Sequence, residues 1–128
     1  EDEPYQSQCF KTANLIANKL NLSINDYEIV FQSRFGKSEW IQPYLAERLE
    51  KLPLENTKNI QVYCPGFPSD CLETIEEIGE ESHDLFMESG GETYKFIPCL
   101  NGDKDFIDFL EILIKDHQKE KIDFRDLL

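Results

Sequence analysis

The stretch KNIQVYCPGFPSDCLETIEEIGEESHDLFMESGGETYKFIPCL, residues 58–100, decides the fold that the sequence predicts. It opens with a short β-branched run, 58–66, that ends at Pro-Gly, and it closes with a similar run, 93–100, that is followed by Asn-Gly. Between them, 69–91 has helical spacing and stops at Gly-Gly. Two strands joined by a crossover helix lie parallel in one sheet. The stretch therefore predicts a β-α-β unit.

Similar patterns flank this unit on both sides. They predict helices over 6–20, 43–52 and 104–120 and a strand over 26–34, which makes an α/β fold of three layers with a parallel sheet between helices. Three strands are few for such a sheet, so we expect a further strand before residue 1. No linker or repeat interrupts 1–128, which we treat as one domain. The last helix is expected to turn an apolar face inward, formed by Phe106, Phe109, Leu110, Leu113 and Ile114.

Composition excludes several classes of protein. The 128 residues carry a net charge of −13, which makes a nucleic-acid phosphate backbone a poor partner. Nine Phe, five Tyr and one Trp supply too much apolar surface for a disordered protein, yet no apolar run is long enough to span a membrane. No signal peptide is recognisable. The four cysteines lack the CxxC spacing of a zinc site, so we expect reduced, mostly buried thiols in a cytoplasmic protein.

Ligands of parallel α/β sheets bind beyond the carboxyl ends of the strands. Three loops occupy that edge: FQSRFGKSEW (31–40), CPGFPSDCLE (64–73) and PCLNGD (98–103). The first contains Gly-Lys-Ser but not the earlier glycine of a P-loop. Its polar groups and its Trp side chain suit a planar acidic ligand, although Trp40 as a lid over the core is an equal alternative. The groups concerned are Gln32, Ser33, Arg34 and Trp40.

The second loop leads into an acidic helix. Asp70 and Glu73 fit the D-x-x-E pattern of a capping box, in which each satisfies a backbone N–H of the first turn. Acidity continues beyond the cap, however. At 100° per residue, four carboxylates fall within roughly 60° on one helix face, where they would guide a cation or accept protons, or merely be solvated. These are Glu73, Glu77, Glu80 and Asp84. His83 and His117 stand in charged surroundings and are expected at the surface.

At these loops the chain resembles the carboxyl-terminal half of the ferrochelatases, the proteobacterial branch in particular. The segments that carry the resemblance lie in the family's order and cover nearly the whole chain. They are PYQSQCFKTANLIANKL (4–20), FQSRFGKSEWIQPY (31–44), VYCPGFPSDCLETIEEI (62–78) and IPCLNGDKDFIDFL (97–110). Ferrochelatases insert ferrous iron into protoporphyrin IX, the terminal step of haem biosynthesis, between two Rossmann-like lobes.

The resemblance implies roles for particular residues. Residues 1–128 correspond to the carboxyl-terminal lobe, and the amino-terminal lobe and the strand with the active-site histidine lie outside them. Glu73 corresponds to the family's active-site glutamate, a proton acceptor and metal ligand. Glu77 continues the acidic path from it as a second catalytic residue, and Asp70 stands beside them as a further metal ligand. The expected porphyrin contacts are Gln32, Ser33, Trp40 and Phe67.

The resemblance also implies partners. Protoporphyrin IX and Fe²⁺ are the expected substrates, with no permanently bound cofactor and no iron–sulfur cluster. Any peripheral membrane contact is expected through the lobe outside this chain, and the chain by itself is expected to be inactive. Two alternatives remain open at this point. One is a cobalt or iron chelatase for a sirohydrochlorin-type ring, although such enzymes use paired histidines and the chain has no candidate pair. The other is a non-catalytic module that binds a tetrapyrrole or metal.

Overall fold

The structure, a computed structural model, describes residues 4–32 and 40–120. Its elements follow one another as the helical and strand-like patterns predict, with one exception, the strand over 26–34. They are α1 (Tyr5–Leu20), α2 (Leu45–Lys51), β1 (Asn59–Tyr63), a π-helix (Glu73–Glu81), α3 (Ser82–Glu88), β2 (Thr93–Ile97) and α4 (Lys104–Glu120).

The predicted β-α-β unit is confirmed. Strands β1 and β2 pair in parallel, from Asn59 opposite Thr93 to Tyr63 opposite Ile97. The connection between them runs through the π-helix and α3. It stops at the predicted glycines, where Gly90 has a φ of +102°, a backbone conformation that glycine adopts without steric cost. The fold is therefore α/β around a parallel pair of strands.

The strand predicted over 26–34 is not formed by its described residues, 26–32. Phe31 makes an isolated parallel bridge with Tyr44. Its N–H donates to the carbonyl of Pro43 at 2.9 Å, and its carbonyl accepts from the N–H of Leu45 at 2.9 Å. Because α2 begins at Leu45, the segment around Tyr44 pairs with Phe31 at one residue only, which is too short for a strand. The described sheet consequently has two strands, and residues 33 and 34 lie outside the described ranges.

The core lies where α2 meets the helical connection. Leu45 and Leu49, on the predicted apolar face of α2, pack with Ile78 and Phe86 in one buried cluster. Val30 packs against this cluster, so the extended segment 26–32 contributes to the core without joining the sheet. Burial of these aliphatic and aromatic side chains is the main source of stability where α2, the π-helix and α3 pack together.

The apolar face of α4 was expected to point inward, and for three of its members this is wrong. Phe109 is 55% exposed, Leu113 is 44% exposed and Ile114 is 57% exposed. Helical spacing of apolar residues produces a buried face only where another surface covers it. No element in the described ranges covers these three side chains. None of the helices described is long and apolar enough to cross a membrane.

Candidate active site

The loops after the two strands meet at one edge of the sheet. Tyr63 and Ile97 are the last paired residues of β1 and β2, so the chain leaves both strands side by side. After β1, the N–H of Phe67 donates to the carbonyl of Cys64 at 3.1 Å and closes a tight turn over Pro65 and Gly66. This turn holds Phe67 half-buried at the edge where parallel α/β sheets bind ligands.

Asp70 ties these two loops together. Its carboxylate accepts hydrogen bonds from the N–H of Cys99 at 3.2 Å and from Nδ2 of Asn101 at 2.7 Å. The N–H of Asp70 in turn donates to Oδ1 of Asn101 at 2.8 Å. The hydrogen bond from Asn101 is the main reason that the pKa of Asp70 is lowered. Asp70 is therefore a charged link between the loops.

The capping box predicted for Asp70 and Glu73 is wrong by one residue. The carbonyl of Cys71 accepts the first helical hydrogen bond, from the N–H of Ile75 at 2.9 Å. The N–H of Cys71 donates to Oγ1 of Thr74 at 2.9 Å, which is the contact that residue N3 makes in a capping box. The carboxylate of Asp70 instead accepts from the N–H of Cys99, from Nδ2 of Asn101 and from the hydroxyl of Thr74 at 3.1 Å.

Glu73 is the first residue of the π-helix, and its side chain is exposed at the sheet edge. A hydrogen bond from the side chain of Cys71, followed by one from its own backbone N–H, lowers the pKa of Glu73. Both bonds stabilise the charged form. Glu73 is thus a carboxylate at neutral pH, which suits it to bind a cation.

The π-helix changes which carboxylates share a face. Its i→i+5 hydrogen bonds give about 4.4 residues per turn, so each residue turns the helix by roughly 80° rather than 100°. On this geometry Glu77 and Glu81 lie within roughly 65° of Glu73, whereas Glu80 lies about 145° away. On this geometry the predicted stripe does not pass through Glu80, and Glu77 and Glu81 are the carboxylates of the π-helix that lie on the side of Glu73.

An open cleft of about 570 Å³ lies between this helix and the segment around α2. Gln32 and Glu77, both predicted site residues, line it together. Four of its lining residues are glutamates, so its field attracts cations. We call it the acidic cleft. Its described lining consists of Phe31, Gln32, Tyr44, Leu45, Ala46, Glu47, Leu72, Glu76, Glu77, Ile78, Glu81, Ser82 and Leu85.

Other predicted site residues lie elsewhere. Trp40 is 39% exposed, and its N–H and carbonyl bond to the hydroxyl of Tyr44 at 3.2 Å and 3.3 Å. Tyr44 lines the acidic cleft, so Trp40 is connected to the cleft through this residue. Ser33 and Arg34 lie outside the described residues. Glu73, Asp70 and Phe67 stand at the sheet edge and are not among the described residues that line the cleft.

The prediction of reduced cysteines is confirmed. All four cysteines, at positions 9, 64, 71 and 99, are free thiols, but only Cys99 is buried, so the expectation that most of them are buried is wrong. Burial raises the pKa of Cys64 and of Cys99 to about 11, which keeps both protonated at neutral pH. In the described ranges, no group of three or more His, Cys, Asp and Glu side chains is arranged to hold a metal ion.

Three residues that sequence reasoning missed are important for this geometry. Asn101 holds Asp70, Glu81 joins the acidic cleft, and Tyr94 contacts the π-helix from β2. The Asn-Gly pair marked position 101 as a turn, and Asn101 indeed has a φ of 51°. A turn signal does not identify its hydrogen-bond partner 31 residues away, so the contact itself was not predictable.

Comparison with known proteins identifies relatives of this chain. A family model described as Ferrochelatase matches residues 1–118. Ferrochelatase of Marinobacter nauticus is 52% identical over 115 residues, 90% of this chain and 31% of that protein. Ferrochelatase of Idiomarina loihiensis is 50% identical over 115 residues, covering 90% and 32%. Ferrochelatase 1 of Shewanella oneidensis is 45% identical over 122 residues, covering 95% and 36%. The chain spans about a third of the length of these relatives.

Proposed function

Because this chain belongs to the ferrochelatase family, we propose that it is part of an enzyme that inserts ferrous iron into protoporphyrin IX to form haem. The observation that carries the proposal is the position of Glu73. It begins the helix that follows β1, at the sheet edge where ligands bind, and it is held as a carboxylate. The family match does not favour a chelatase for sirohydrochlorin-type rings or a non-catalytic binding module.

In the full-length protein this chain is one of two lobes. The complete lobe has a three-layered, Rossmann-like fold with helices on both faces of one sheet. In that sheet, further strands that the described residues do not contain extend the pair β1 and β2. Support comes from the parallel bridge between Phe31 and Tyr44. It shows that the chain around Phe31 runs parallel to its neighbour, as a further strand of a parallel sheet would. The amino-terminal lobe then supplies the other wall of the porphyrin site, and the strand that precedes this chain supplies a histidine opposite Glu73.

Metallation must remove two pyrrole protons and replace the water around Fe²⁺. Glu73 contributes a negatively charged oxygen to the incoming metal, and the same carboxylate is the proposed acceptor of a pyrrole proton. The lowered pKa of Glu73 supports metal binding as its first role, because a weaker base takes up a proton less readily. Fe²⁺ is a substrate in this scheme, and the chemistry needs no resident cofactor.

Glu77 extends the path of cations or protons away from Glu73. It lies on the same side of the π-helix and lines the acidic cleft, where Glu76 and Glu81 add to the negative field. Asp70 remains a proposed metal ligand. Its contacts with Cys99 and Asn101 support a second role, that of keeping the loop from which Glu73 projects in place.

The porphyrin lies against the first two loops. Phe67 and Trp40 offer flat apolar surfaces to the macrocycle, and Gln32 and Ser33 offer neutral hydrogen-bonding groups. We further place the enzyme in the cytoplasm, with any peripheral membrane contact made by the lobe outside this chain.

The test is a metallation assay of the full-length protein with protoporphyrin IX and Fe²⁺ without oxygen, followed by haem absorbance. Glu73→Gln keeps the size of the side chain but removes its charge, and we expect the rate to fall by about 100-fold, the lower end of the range for a lost acid–base group. Parallel assays with a sirohydrochlorin-type ring and Co²⁺ or Fe²⁺ measure the alternative substrate class.

The matched control is Glu88→Gln, an exposed glutamate at the end of α3 and away from the sheet edge. It should leave the rate unchanged. A Glu73→Gln enzyme with the wild-type rate would contradict the assignment of Glu73, and metallation of the sirohydrochlorin-type ring alone would contradict the proposed substrate.

A further inference from the structure

The hydrogen bonds at the end of the π-helix show how its wider turn differs from an α-helix. In an α-helix the N–H of Ser82 would donate to the carbonyl of Ile78, four residues earlier. Here it donates to the carbonyl of Glu77, five residues earlier. The hydroxyl of Ser82 donates to the same carbonyl at 2.7 Å. The backbone N–H and the hydroxyl of Ser82 therefore both stabilise the π register.

The N–H of Ser82 does not bond to the carbonyl of Ile78, and this carbonyl accepts a hydrogen bond from another element instead. The hydroxyl of Tyr94 in β2 bonds to it at 2.6 Å. Burial raises the pKa of Tyr94 far above its ordinary value, so the phenol stays protonated and able to donate. A side chain of the sheet thus replaces, at this carbonyl, the hydrogen bond that an α-helix would make.

The ring of Tyr94 is fixed where the π-helix joins α3. It packs edge-on against His83 with ring centroids 5.7 Å apart and lies 6.0 Å from the ring of Phe86, which is fully buried. Its backbone is paired with Ile60 in the sheet. The hydroxyl is therefore held rigidly by the core, and rotation of Tyr94 away from the helix would disturb that packing.

We propose that Tyr94 is a positioning residue of the active site: by bonding to the carbonyl of Ile78 it holds the π register that places Glu77 beside the acidic cleft. This role rests on the proposed function, since it acts through the carboxylates of that site. Tyr94 itself is on the sheet side of the helix and takes no part in the chemistry.

The consequence of losing this register is a rotation. In the α register Glu77 lies about 40° to one side of Glu73, whereas in the π register it lies about 33° to the other side. The position of Glu77 around the helix axis therefore differs by roughly 70° between the two registers. A change to the α register would rotate the Glu77 side chain relative to the acidic cleft. Without the Tyr94 hydroxyl the carbonyl of Ile78 lacks this donor, and the bond from Ser82 becomes the favoured replacement.

The closing experiment uses the full-length protein with Tyr94→Phe, which removes one hydroxyl and keeps the ring. The matched control is Tyr27→Phe, whose hydroxyl also makes one hydrogen bond, to Oδ1 of Asn14 at 2.7 Å, away from the π-helix. We expect Tyr94→Phe to lower kcat/KM for the metal about tenfold, the size of one lost buried hydrogen bond, with little change in KM for the porphyrin. Tyr27→Phe should not change either constant.

A double-mutant cycle separates positioning from a general loss of stability. If Tyr94 acts through Glu77, its effect should largely vanish in a Glu77→Gln background, because the group that it positions is already absent. Multiplicative effects of Tyr94→Phe and Glu77→Gln would overturn the proposal. Ser82→Ala removes one donor to Glu77 and provides a second variant. It should reduce kcat/KM for the metal in the same direction, and an unchanged value would also overturn the proposal.

A crystal structure of the Tyr94→Phe protein gives a result independent of activity. A bond from the N–H of Ser82 to the carbonyl of Ile78 supports the proposal when metallation is also slower. An unchanged π-helix, or a shifted helix with the wild-type rate, overturns the positioning role. Failure of the wild-type protein to metallate protoporphyrin IX would overturn the proposed function and this role with it, whichever register the helix has.

Discussion

Asp70 joins the loop after β1 to the loop after β2 through Cys99 and Asn101. These hydrogen bonds are made to the charged carboxylate, and they lower its pKa in the folded protein. A group with a lowered folded pKa contributes stability at pH values above its unfolded pKa, about 3.9 for Asp. The contribution is lost as the pH falls from there through the folded pKa.

Asp70→Asn should therefore lower the thermal unfolding temperature at pH 7. The difference between wild type and variant should shrink below about pH 4, because the wild-type carboxyl then becomes protonated and loses the same advantage. Thermal unfolding of both proteins at pH 7 and pH 3 measures this. Asp84→Asn is the control, since the Asp84 side chain is 75% exposed and lies next to His83 at the surface. Equal unfolding temperatures for wild type and Asp70→Asn at pH 7 would show that the link is not stabilising.

At the scale of elements, the connection from α3 to β2 depends on a close approach of backbone to ring. A Cβ on Gly91 would lie 2.8 Å from the carbonyl oxygen of Phe86 and would overlap the Phe86 ring. Phe86 is fully buried in the core, so its ring has no free space into which it could move away from the added Cβ. The Gly-Gly pair thus ends the helix at Gly90 and lets the chain pass close to the Phe86 ring at Gly91, before β2 begins at Thr93.

Gly91→Ala should consequently destabilise the protein by about 2 to 3 kcal/mol, the upper range for overpacking a core. Urea unfolding followed by circular dichroism measures the free energy of unfolding. Gly102→Ala is the matched control because nothing lies within 4 Å of the added Cβ. A Gly91→Ala protein as stable as the Gly102→Ala protein would show that Phe86 moves aside without cost.

At the scale of the whole molecule, the described surface retains large apolar side chains. Several lie on α4, where Ile112 is 60% exposed, and others on α1, where Leu15 is 58% exposed. The curated relatives are about three times as long as this chain. The acidic cleft is open, and a flat macrocycle needs contacts on both of its faces to be held for metallation.

Residues 1–128 alone should therefore give no metallation of protoporphyrin IX, whereas the full-length protein should be active. The assay compares both at equal concentration with Fe²⁺ or Zn²⁺, following the loss of porphyrin fluorescence. Circular dichroism of the shorter chain serves as the control that it is folded. Turnover by residues 1–128 would contradict the prediction and would place the complete site within this chain.

The sequence by itself determined the β-α-β unit, the helices α1, α2 and α4, the reduced thiols and the resemblance that leads to Glu73. These follow from local periodicity, glycine stops and a dense set of motifs, all of which act within a few residues. The tertiary structure alone decided the missing strand at 26–32, the displaced helix cap and the π register. Each of these depends on hydrogen bonds between residues far apart in the sequence. Phe31 bonds with Pro43 and Leu45, 12 and 14 residues away. Asp70 bonds with Cys99 and Asn101, 29 and 31 residues away, and Tyr94 bonds with Ile78, 16 residues away. Local patterns carry no information about such partners, because a hydrogen bond from another element outweighs the small free-energy differences between local alternatives.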